Sequence, residues 1–448
     1  MAAEGTPSPA RLDKHTRRSL DAEVWTLAVP AFATLLAEPL LVLADSAIIG
    51  HVSTDALAGL GVAASVIGLT LGLCVFLAYG TTASVSRRLG AGDLPGALAG
   101  GLDGITLGLG VGVVLAAAIG GLAGPIIGLY AVTPEVAAPA SAYLGIVALG
   151  FPAALAILAA TGVLRGLQDT RTPLLVVGCM NLVNIALNLG FVFGLGWGIV
   201  GSATGTVISQ YVAATWMVAM VLRGARRHQV GWRWRPAGVV AAASSSSWLM
   251  LRTLGLQAAL LTTTAVAARM GTTALASHQV LNSLWMLLVF AMDAVAIAAQ
   301  AIVGRYLGAG QPRIVRALLG RMIGWAIGIG AVGGVALWAG HRLYLPLFTP
   351  DAAVVAQIGR VLPILAALTA VSAVVFVLDG VLIGAGDARY LAIASGINLA
   401  SYLPLALAVA WTGAGLEWLW IAYGGLALSR LTTLGLRARG TRWMRLGI

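Results

Sequence analysis

The sequence is poor in the residues on which many enzymes and secreted domains depend. Its 448 residues include two cysteines, five histidines and a single lysine, Lys14. A phosphate-binding loop that ends in Gly-Lys-Ser or Gly-Lys-Thr is therefore absent, which excludes ATP hydrolysis at such a loop. Cys74 and Cys179 fall inside apolar stretches and belong to no ligand spacing, so neither a disulfide framework nor a metal site is expected.

Charge is also scarce, since 10% of the residues are charged while 59% are hydrophobic and the mean hydropathy is +0.93. A soluble protein of this composition would lack polar surface. Apolar stretches of about 20 residues or more can cross ~30 Å of hydrocarbon as helices. We predict an all-α membrane protein whose twelve transmembrane helices cover residues 24–50, 57–84, 98–122, 137–163, 172–195, 199–222, 248–268, 275–303, 317–340, 354–383, 390–411 and 417–436.

The two halves of the chain match each other at a constant offset of 218 residues. An even number of spans in each half gives both halves the same orientation, so we predict two parallel six-helix bundles. The N-lobe covers residues 24–222 and the C-lobe residues 248–436, with a cytoplasmic tail at 1–23, a linker at 223–247 and a tail at 437–448. Matching positions are Arg87, Gly90, Gly162, Gly166 and Asp169 with Arg305, Gly308, Gly380, Gly384 and Asp387.

The net charge of +11 is concentrated before the first span, in every second loop and in the C-terminal tail. The intervening loops hold only two arginines, Arg269 and Arg342. Such asymmetry in short loops predicts that both termini are cytoplasmic. The basic strip at 223–235, with Trp232 and Trp234 interleaved, could bind RNA, but lipid headgroups explain it better. We expect membrane lipids and no nucleic acid as partners.

Ionisable residues inside the spans indicate function, because each costs at least ~2.5 kcal/mol at a helix centre unless it is paired or hydrated. Glu38 and Asp45 are seven residues apart and share one face of the first span, with Pro30 before them and Pro39 between them. Proline weakens helical hydrogen bonding, so Pro30 is a candidate hinge. Desolvation favours a neutral carboxylic acid. Asp45 is therefore a candidate proton carrier, a structural carboxylate is the alternative, and Glu38 could simply line a cavity.

An amide stripe on span five, Asn181, Asn184 and Asn188, is expected at a depth like that of Asp45. These amides either join helices by hydrogen bonds or contact a ligand. On span eight, polar residues recur within an arc of roughly 60°, and Asp379 lies near the inner end of span ten. We interpret Asp293, Asp379 and Gln300 as an inner gate or a structural ion-pair set, with a second ion site as the alternative. The substrate cavity is expected to include Asn181, Gln210, Tyr211, Gln279 and Asn282.

Glycines recur at every fourth position in spans three and nine, which predicts one closely packed face on each helix. They are Gly100, Gly104, Gly108 and Gly112 in the first half, and Gly320, Gly324 and Gly328 in the second.

Several short motifs carry a family resemblance: Ala44-Asp45-Ser46-Ala47 before Gly50-His51, Leu-Gly-Ala-Gly in two loops, and the run from Leu164 to Pro173. With them the chain resembles the multidrug and toxic compound extrusion (MATE) transporters. Leu378-Asp379-Gly380 and Ala291-Met292-Asp293 are similar to the DinF branch. The resemblance implies two bundles that alternate between outward and inward openings. It also implies export of amphipathic, usually cationic compounds in exchange for H+ or Na+.

Within this resemblance Asp45 matches the first-helix acid that family members protonate, and Asn184 matches the amide that faces it. Asn188 departs from the pattern, because many DinF-like members have Asp there. Coupling to H+ is therefore favoured over Na+, and Glu38 could supply the second carboxylate. The resemblance further implies organic cations as substrates, no cofactor other than an ion gradient, no bound metal, no enzymatic activity, a bacterial inner membrane location and a monomer.

Three other classes remain as alternatives. A flippase for lipid-linked saccharides should have a strongly cationic cavity, whereas the charges noted inside the spans are mainly acidic. A membrane-embedded enzyme that acts on lipid should have a long polar loop, but every loop except the linker is short. A receptor or scaffold explains neither the duplicated halves nor the buried acids.

Overall fold

The computed structural model describes residues 14–447, and these residues form helices joined by short connections. A π-helical turn, Gly190–Gly194, joins α8 to α9. The helices of the first half are α1 Lys14–Gly50, α2 Thr54–Cys74, α3 Phe76–Gly90, α4 Leu94–Gly121, α5 Ala123–Gly128, α6 Pro134–Ala148, α7 Phe151–Gly166, α8 Arg171–Leu189 and α9 Gly198–Arg227. Those of the second half are α10 Pro236–Arg269, α11 Thr272–Gly308, α12 Pro312–Ala339, α13 His341–Phe348, α14 Ala352–Gly384, α15 Ala388–Thr412 and α16 Leu416–Arg439.

The long helices account for the predicted spans. Within the described residues, ten helical segments are long and apolar enough to cross a membrane, and α2 with α3 forms one of them. The pair α6 and α7, bent by 52°, gives an eleventh. Helix α16, with 24 residues, corresponds to the twelfth predicted span. The all-α, twelve-helix membrane fold is thus confirmed.

Several helices extend beyond the apolar stretches that predicted them. Helix α1 begins at Lys14, inside the predicted N-terminal tail. Helix α9 continues into the predicted linker and ends at Arg227, and α10 begins within the linker at Pro236. Hydrocarbon thickness determines only the apolar part of a helix, and polar turns can continue into the interface. Proline at the start of α10 suits a first helical turn, where its missing N–H is not needed. Residues 1–13 and 448 of the predicted tails lie outside the described residues.

The chain forms two compact units, and each unit contains one helix segment from the other half of the sequence. Unit one consists of Met1–Val29 and Trp248–Ile448, and unit two of Pro30–Ser247. Helix α1 therefore passes from unit one to unit two at Pro30, the predicted hinge. Helix α10 likewise begins in unit two and continues in unit one after Ser247.

In unit two, the predicted close packing of the α4 glycines is found at three of the four positions: Gly104 faces Thr81 of α3, and Gly108 and Gly112 face α7, whereas a Cβ atom at Gly100 would meet nothing nearer than 3.8 Å. A Cβ atom at Gly108 would lie 2.8 Å from the carbonyl oxygen of Leu155, and one at Gly112 would lie 2.5 Å from the Cα atom of Pro152. The two backbones are in direct contact there, which only glycine permits. Buried apolar side chains, among them Ile105 and Val163, fill the neighbouring core.

In unit one, the prediction that Gly320, Gly324 and Gly328 form a closely packed face is wrong. A Cβ atom at Gly320, Gly324 or Gly328 would meet nothing within 4 Å. Instead, Gly330 and Gly334 face α14, where added Cβ atoms would lie 2.7 Å and 2.5 Å from carbonyl oxygens. A four-residue repeat identifies one side of a helix, but it does not indicate whether a neighbouring helix covers that side.

Candidate ion-coupling site

The centre of the site is an acid on α1 that is bonded to an amide on α8. Asp45 is buried, with 5% of its surface exposed, and Asn188 is fully buried. The Nδ2 group of Asn188 donates a hydrogen bond to Oδ1 of Asp45 over 2.7 Å. A buried carboxylate requires such donors, since an unpaired charge at this depth is costly.

The network continues from Asn188 along α8. Its Nδ2 group also lies 3.0 Å from Oδ1 of Asn184, whose own Nδ2 group donates to the hydroxyl of Thr206 over 3.0 Å. The structure therefore places Asp45, Asn184 and Asn188 together. The three-residue and four-residue spacings of the amide stripe direct these side chains to one face of α8.

A hydroxyl stripe on α9 completes the cluster and was absent from the sequence prediction. Ser202, Thr206 and Ser209 are buried on one face of α9. Ser202 Oγ lies 3.4 Å from Asn188 Nδ2, and Ser209 Oγ lies 3.4 Å from Asn184 Nδ2. Tyr143 of α6 lies beside Thr206 and Ser202. Ser202, Thr206 and Ser209 are spaced by four and three positions, a helical pattern like the one that predicted the amide stripe, so the sequence could have predicted them as well.

One acceptor in this cluster has no donor. Oδ1 of Asn188 is buried and makes no hydrogen bond within the described structure. Hydroxyl groups both donate and accept, and an amide can rotate to exchange its donor and acceptor ends. Rotation of these side chains can therefore reverse the direction of the hydrogen bonds in the cluster.

The other first-half residues of the prediction are more dispersed. Asn181 donates from Nδ2 to the carbonyl oxygen of Ala37 over 2.7 Å, while its Oδ1 and Oε1 of Gln210 are buried without hydrogen bonds. Glu38 follows Ala37 and is exposed. Tyr211 is 44% exposed and donates to the carbonyl oxygen of Leu149, so it lies on the surface of unit two.

The predicted second-half residues all lie in unit one. Gln279 is exposed on α11, whereas Asn282 and Asp293 are half-buried and Gln300 is buried. Asp379 of α14 is 4% exposed.

Asp379 is held by two arginines that the sequence analysis overlooked. Arg252 Nε donates to Oδ1 over 3.1 Å, Arg252 also pairs with Oδ2, and Arg430 lies 3.4 Å from Oδ2. The expectation that charges inside the spans are mainly acidic is therefore wrong for unit one. Both arginines fall inside predicted apolar stretches, where counting loop charges misses them. A carboxylate with two guanidinium partners forms an ion-pair set and leaves little need for a bound cation.

Among the side chains that the structure describes, residues 18–346 and 348–447, no group of three or more His, Cys, Asp or Glu is arranged to hold a metal ion.

The long apolar helices make this a multi-pass membrane protein. The two similar halves of the sequence and the buried contact between an acid and an amide indicate a transporter. The chain belongs to the MatE family, the multidrug and toxic compound extrusion transporters. The sequence model of this family matches residues 30–190 and again residues 249–412. Two matches to one model agree with the repeat found in the sequence.

Known proteins support the same assignment. The chain is 30% identical over 427 residues to DNA damage-inducible protein F of Escherichia coli, covering 92% of each chain. It is 30% identical over 424 residues to the chloroplastic protein DETOXIFICATION 44 of Arabidopsis thaliana, covering 87% of this chain and 78% of that one. The fold matches the bent form of the MATE transporter VcmN of Vibrio cholerae, with a TM-score of 0.86, 22% identity and coverage of 96% and 98%. The resemblance to MATE transporters and their DinF branch is confirmed.

Proposed function

We propose that this chain is a proton-coupled antiporter that exports amphipathic organic cations by alternating access. The observation that carries the proposal is the hydrogen bond between Asp45 and Asn188 in a buried, otherwise uncharged cluster. A single acid in such a place can change its charge by one proton, and that change alters its interaction with every neighbour.

The choice of H+ over Na+ rests on the number of carboxylates in the cluster. Among the described residues, Asp45 is the one carboxylate of this cluster, and its hydrogen-bond partner is the neutral amide of Asn188. Neutral Asn188 also adds no second negative charge. Protonation requires only one carboxylate and a neighbour that tolerates both charge states.

Asn188 is suited to both charge states. Its Nδ2 group donates to the ionised carboxylate, and its unpartnered Oδ1 provides an acceptor for the O–H group of the protonated acid after the amide rotates. The amide of Asn184 and the hydroxyl of Thr206 can reverse their bonds in turn. Protonation at Asp45 thus rearranges contacts between α1, α8 and α9.

Movement of α1 links this rearrangement to export. Helix α1 contains Pro30 and Pro39 below the acid, and both weaken its hydrogen bonding. On the outer side, protonation of Asp45 bends α1 about Pro30, shrinks the cavity of unit two and expels the substrate. On the inner side, loss of the proton restores a negative charge that attracts a cation.

The substrate class follows from the acids of unit two and from the family. Asp45 and exposed Glu38 offer negative charge to a cation, while apolar helices suit an amphipathic compound. The relative named DETOXIFICATION 44 is named for detoxification, which supports toxic compounds as substrates. We further propose that both termini are cytoplasmic, in a bacterial inner membrane, and that the monomer is active without a cofactor.

The test is uptake of a fluorescent cationic dye into proteoliposomes of known orientation, driven separately by a proton gradient and a sodium gradient. Proton-driven uptake by the native chain supports the proposal. Uptake that responds to sodium alone would refute proton coupling. If dye fails to move under either gradient, the flippase alternative gains weight, although Arg252 and Arg430 are already paired with Asp379 and do not favour it.

A further inference from the structure

An ion pair on α12 holds the beginning of α1 in unit one. Arg321 Nε donates to Oδ1 of Asp21 over 2.9 Å, and the second guanidinium nitrogen pairs with Oδ2. Trp325 Nε1 donates to the same carboxylate over 3.2 Å, and its ring lies edge-on to Trp25 with centroids 5.3 Å apart. We refer to Asp21, Arg321, Trp25 and Trp325 as the first clasp.

A corresponding contact holds the start of α10 in unit two. Arg235, the residue before α10, lies 3.3 Å from Oδ2 of Asp103 on α4. Trp232 Nε1 donates to the hydroxyl of Thr106, also on α4, over 2.9 Å. We refer to Arg235, Asp103, Trp232 and Thr106 as the second clasp. In each clasp, an ion pair and a tryptophan hydrogen bond attach a helix start to the third long helix of the opposite half of the sequence.

The two clasps have opposite polarity at the equivalent position. The 218-residue offset places Asp103 of α4 on Arg321 of α12, so the third helix carries an acid in one half and a base in the other. The charge on the third helix thus distinguishes the two clasps, because Asp103 pairs with a base and Arg321 pairs with an acid.

The exposure of the first clasp is compatible with repeated opening, since the side chains of Arg321 and Asp21 are 29% and 23% exposed. In the second clasp, Arg235 is 46% exposed and Asp103 is 6% exposed, so water reaches that ion pair from the arginine side. Ion pairs that water reaches are weak. A contact of this kind can form and break during a transport cycle, whereas the enclosed pair of Arg252 and Asp379 cannot do so readily.

We propose that the two clasps are releasable contacts of the transport cycle, formed in the conformation described here and broken in the alternate one. The first clasp acts on the ion site through α1, because this helix leaves unit one at Pro30 and carries Asp45 fifteen residues later. Asp21 and Arg321 are thus positioning residues for coupling. The inference rests on the proposed alternating-access function, but it does not depend on which ion drives transport.

Charge exchange tests the specificity of the first clasp, with dye uptake under whichever gradient drives the native chain. Asp21→Arg and Arg321→Asp should each reduce the initial rate about fivefold or more, since coupling energies of this kind correspond to factors of 5–150. The double variant, which restores opposite charges, should recover most of the rate. Asp387→Arg is the control, because Asp387 pairs with Arg437 over 2.7 Å within the second half and belongs to neither clasp. Full activity of both single variants, or no recovery in the double variant, would overturn the proposal.

Cross-linking tests release directly. In a chain with Cys74→Ala and Cys179→Ala, the changes Asp21→Cys and Arg321→Cys allow a disulfide across the clasp. Oxidation should abolish the uptake that remains, reduction should restore it, and dye binding should persist in both states. Undiminished uptake by the oxidised protein would show that transport does not require the clasp to open, and would overturn the proposal. If proton coupling fails but oxidation still blocks sodium-driven uptake, the proposed ion is wrong and the clasp is supported.

Discussion

Asp45 and Asn188 are separated by 143 positions in the sequence, and their side chains are joined by a hydrogen bond of 2.7 Å in the buried part of unit two. This contact connects the helix that contains the two prolines to the helix that carries the amide stripe. In the proposed mechanism, protonation of Asp45 changes helix packing through this contact.

Adding a second acid should change ion selectivity. Asn188→Asp removes the N–H donor and places two carboxylates beside each other, which suits a cation with oxygen ligands. We expect sodium-driven dye uptake to rise above the native level, while proton-driven uptake falls. Uptake in proteoliposomes measures both, and Asn398→Asp is the control, since this buried amide lies in unit one and its Oδ1 accepts from the hydroxyl of Ser429 over 2.8 Å. A sodium response equal to that of the native chain would contradict the assignment of this cluster.

The hydroxyl stripe of α9 should contribute to coupling. Thr206→Val keeps the side-chain shape but removes the group that accepts from Asn184, leaving a buried donor unsatisfied at a cost of about 1–3 kcal/mol. Proton-driven uptake should fall about fivefold or more, while Thr206→Ser should remain close to native. Equal rates of proton-driven uptake for the Val and Ser variants would show that the Thr206 hydroxyl does not contribute to coupling.

Breaking the ion-pair set of unit one should reduce stability rather than ion selectivity. Arg252→Met deprives buried Asp379 of its two-bond partner, and loss of one partner of a buried pair costs about 3–5 kcal/mol. We expect a lower Tm in detergent and an unchanged preference for H+ over Na+. Arg360→Met, at an exposed pair with Glu417, should leave the Tm nearly unchanged. A switch in the driving ion would instead make Asp379 part of the coupling site.

The glycine positions provide a matched pair of stability tests. Gly112→Ala brings a Cβ atom within 2.5 Å of the Cα atom of Pro152, and overpacking against backbone costs about 1–3 kcal/mol. Gly320→Ala meets nothing within 4 Å, and alanine is favoured over glycine in a helix by about 0.8–1.0 kcal/mol. Thermal unfolding should show a lower Tm for the first variant and an equal or higher one for the second.

The sequence predicted the features that depend on periodicity along one helix. Apolar length identified the twelve spans, and the spacing of Asn181, Asn184 and Asn188 placed amides near Asp45. The overlooked arginines, Arg252 and Arg430, depend on a partner in another helix. Their charge is compensated by Asp379, so composition alone gives no sign that they are buried.

The exchange of segments between the two units was also beyond the sequence analysis. Arg235 was read only as part of a basic strip, and Asp103 received no role. Their pairing requires knowledge of which helices are neighbours, because a charge near the end of a span looks the same whether it faces water or an ion partner. The glycine stripe of α12 failed for the same reason, since spacing does not identify the neighbour.

The most direct test of the account is proton release on substrate binding by the purified protein. A cationic dye is added to the native chain in weakly buffered detergent solution, and a pH indicator records the released protons. Competition at Asp45 predicts release of up to about one proton per bound dye. Asp45→Asn should release none, while Asp55→Asn, which changes an exposed acid at the start of α2, should behave as the native chain. Equal proton release from Asp45→Asn and the native protein would contradict proton coupling at Asp45.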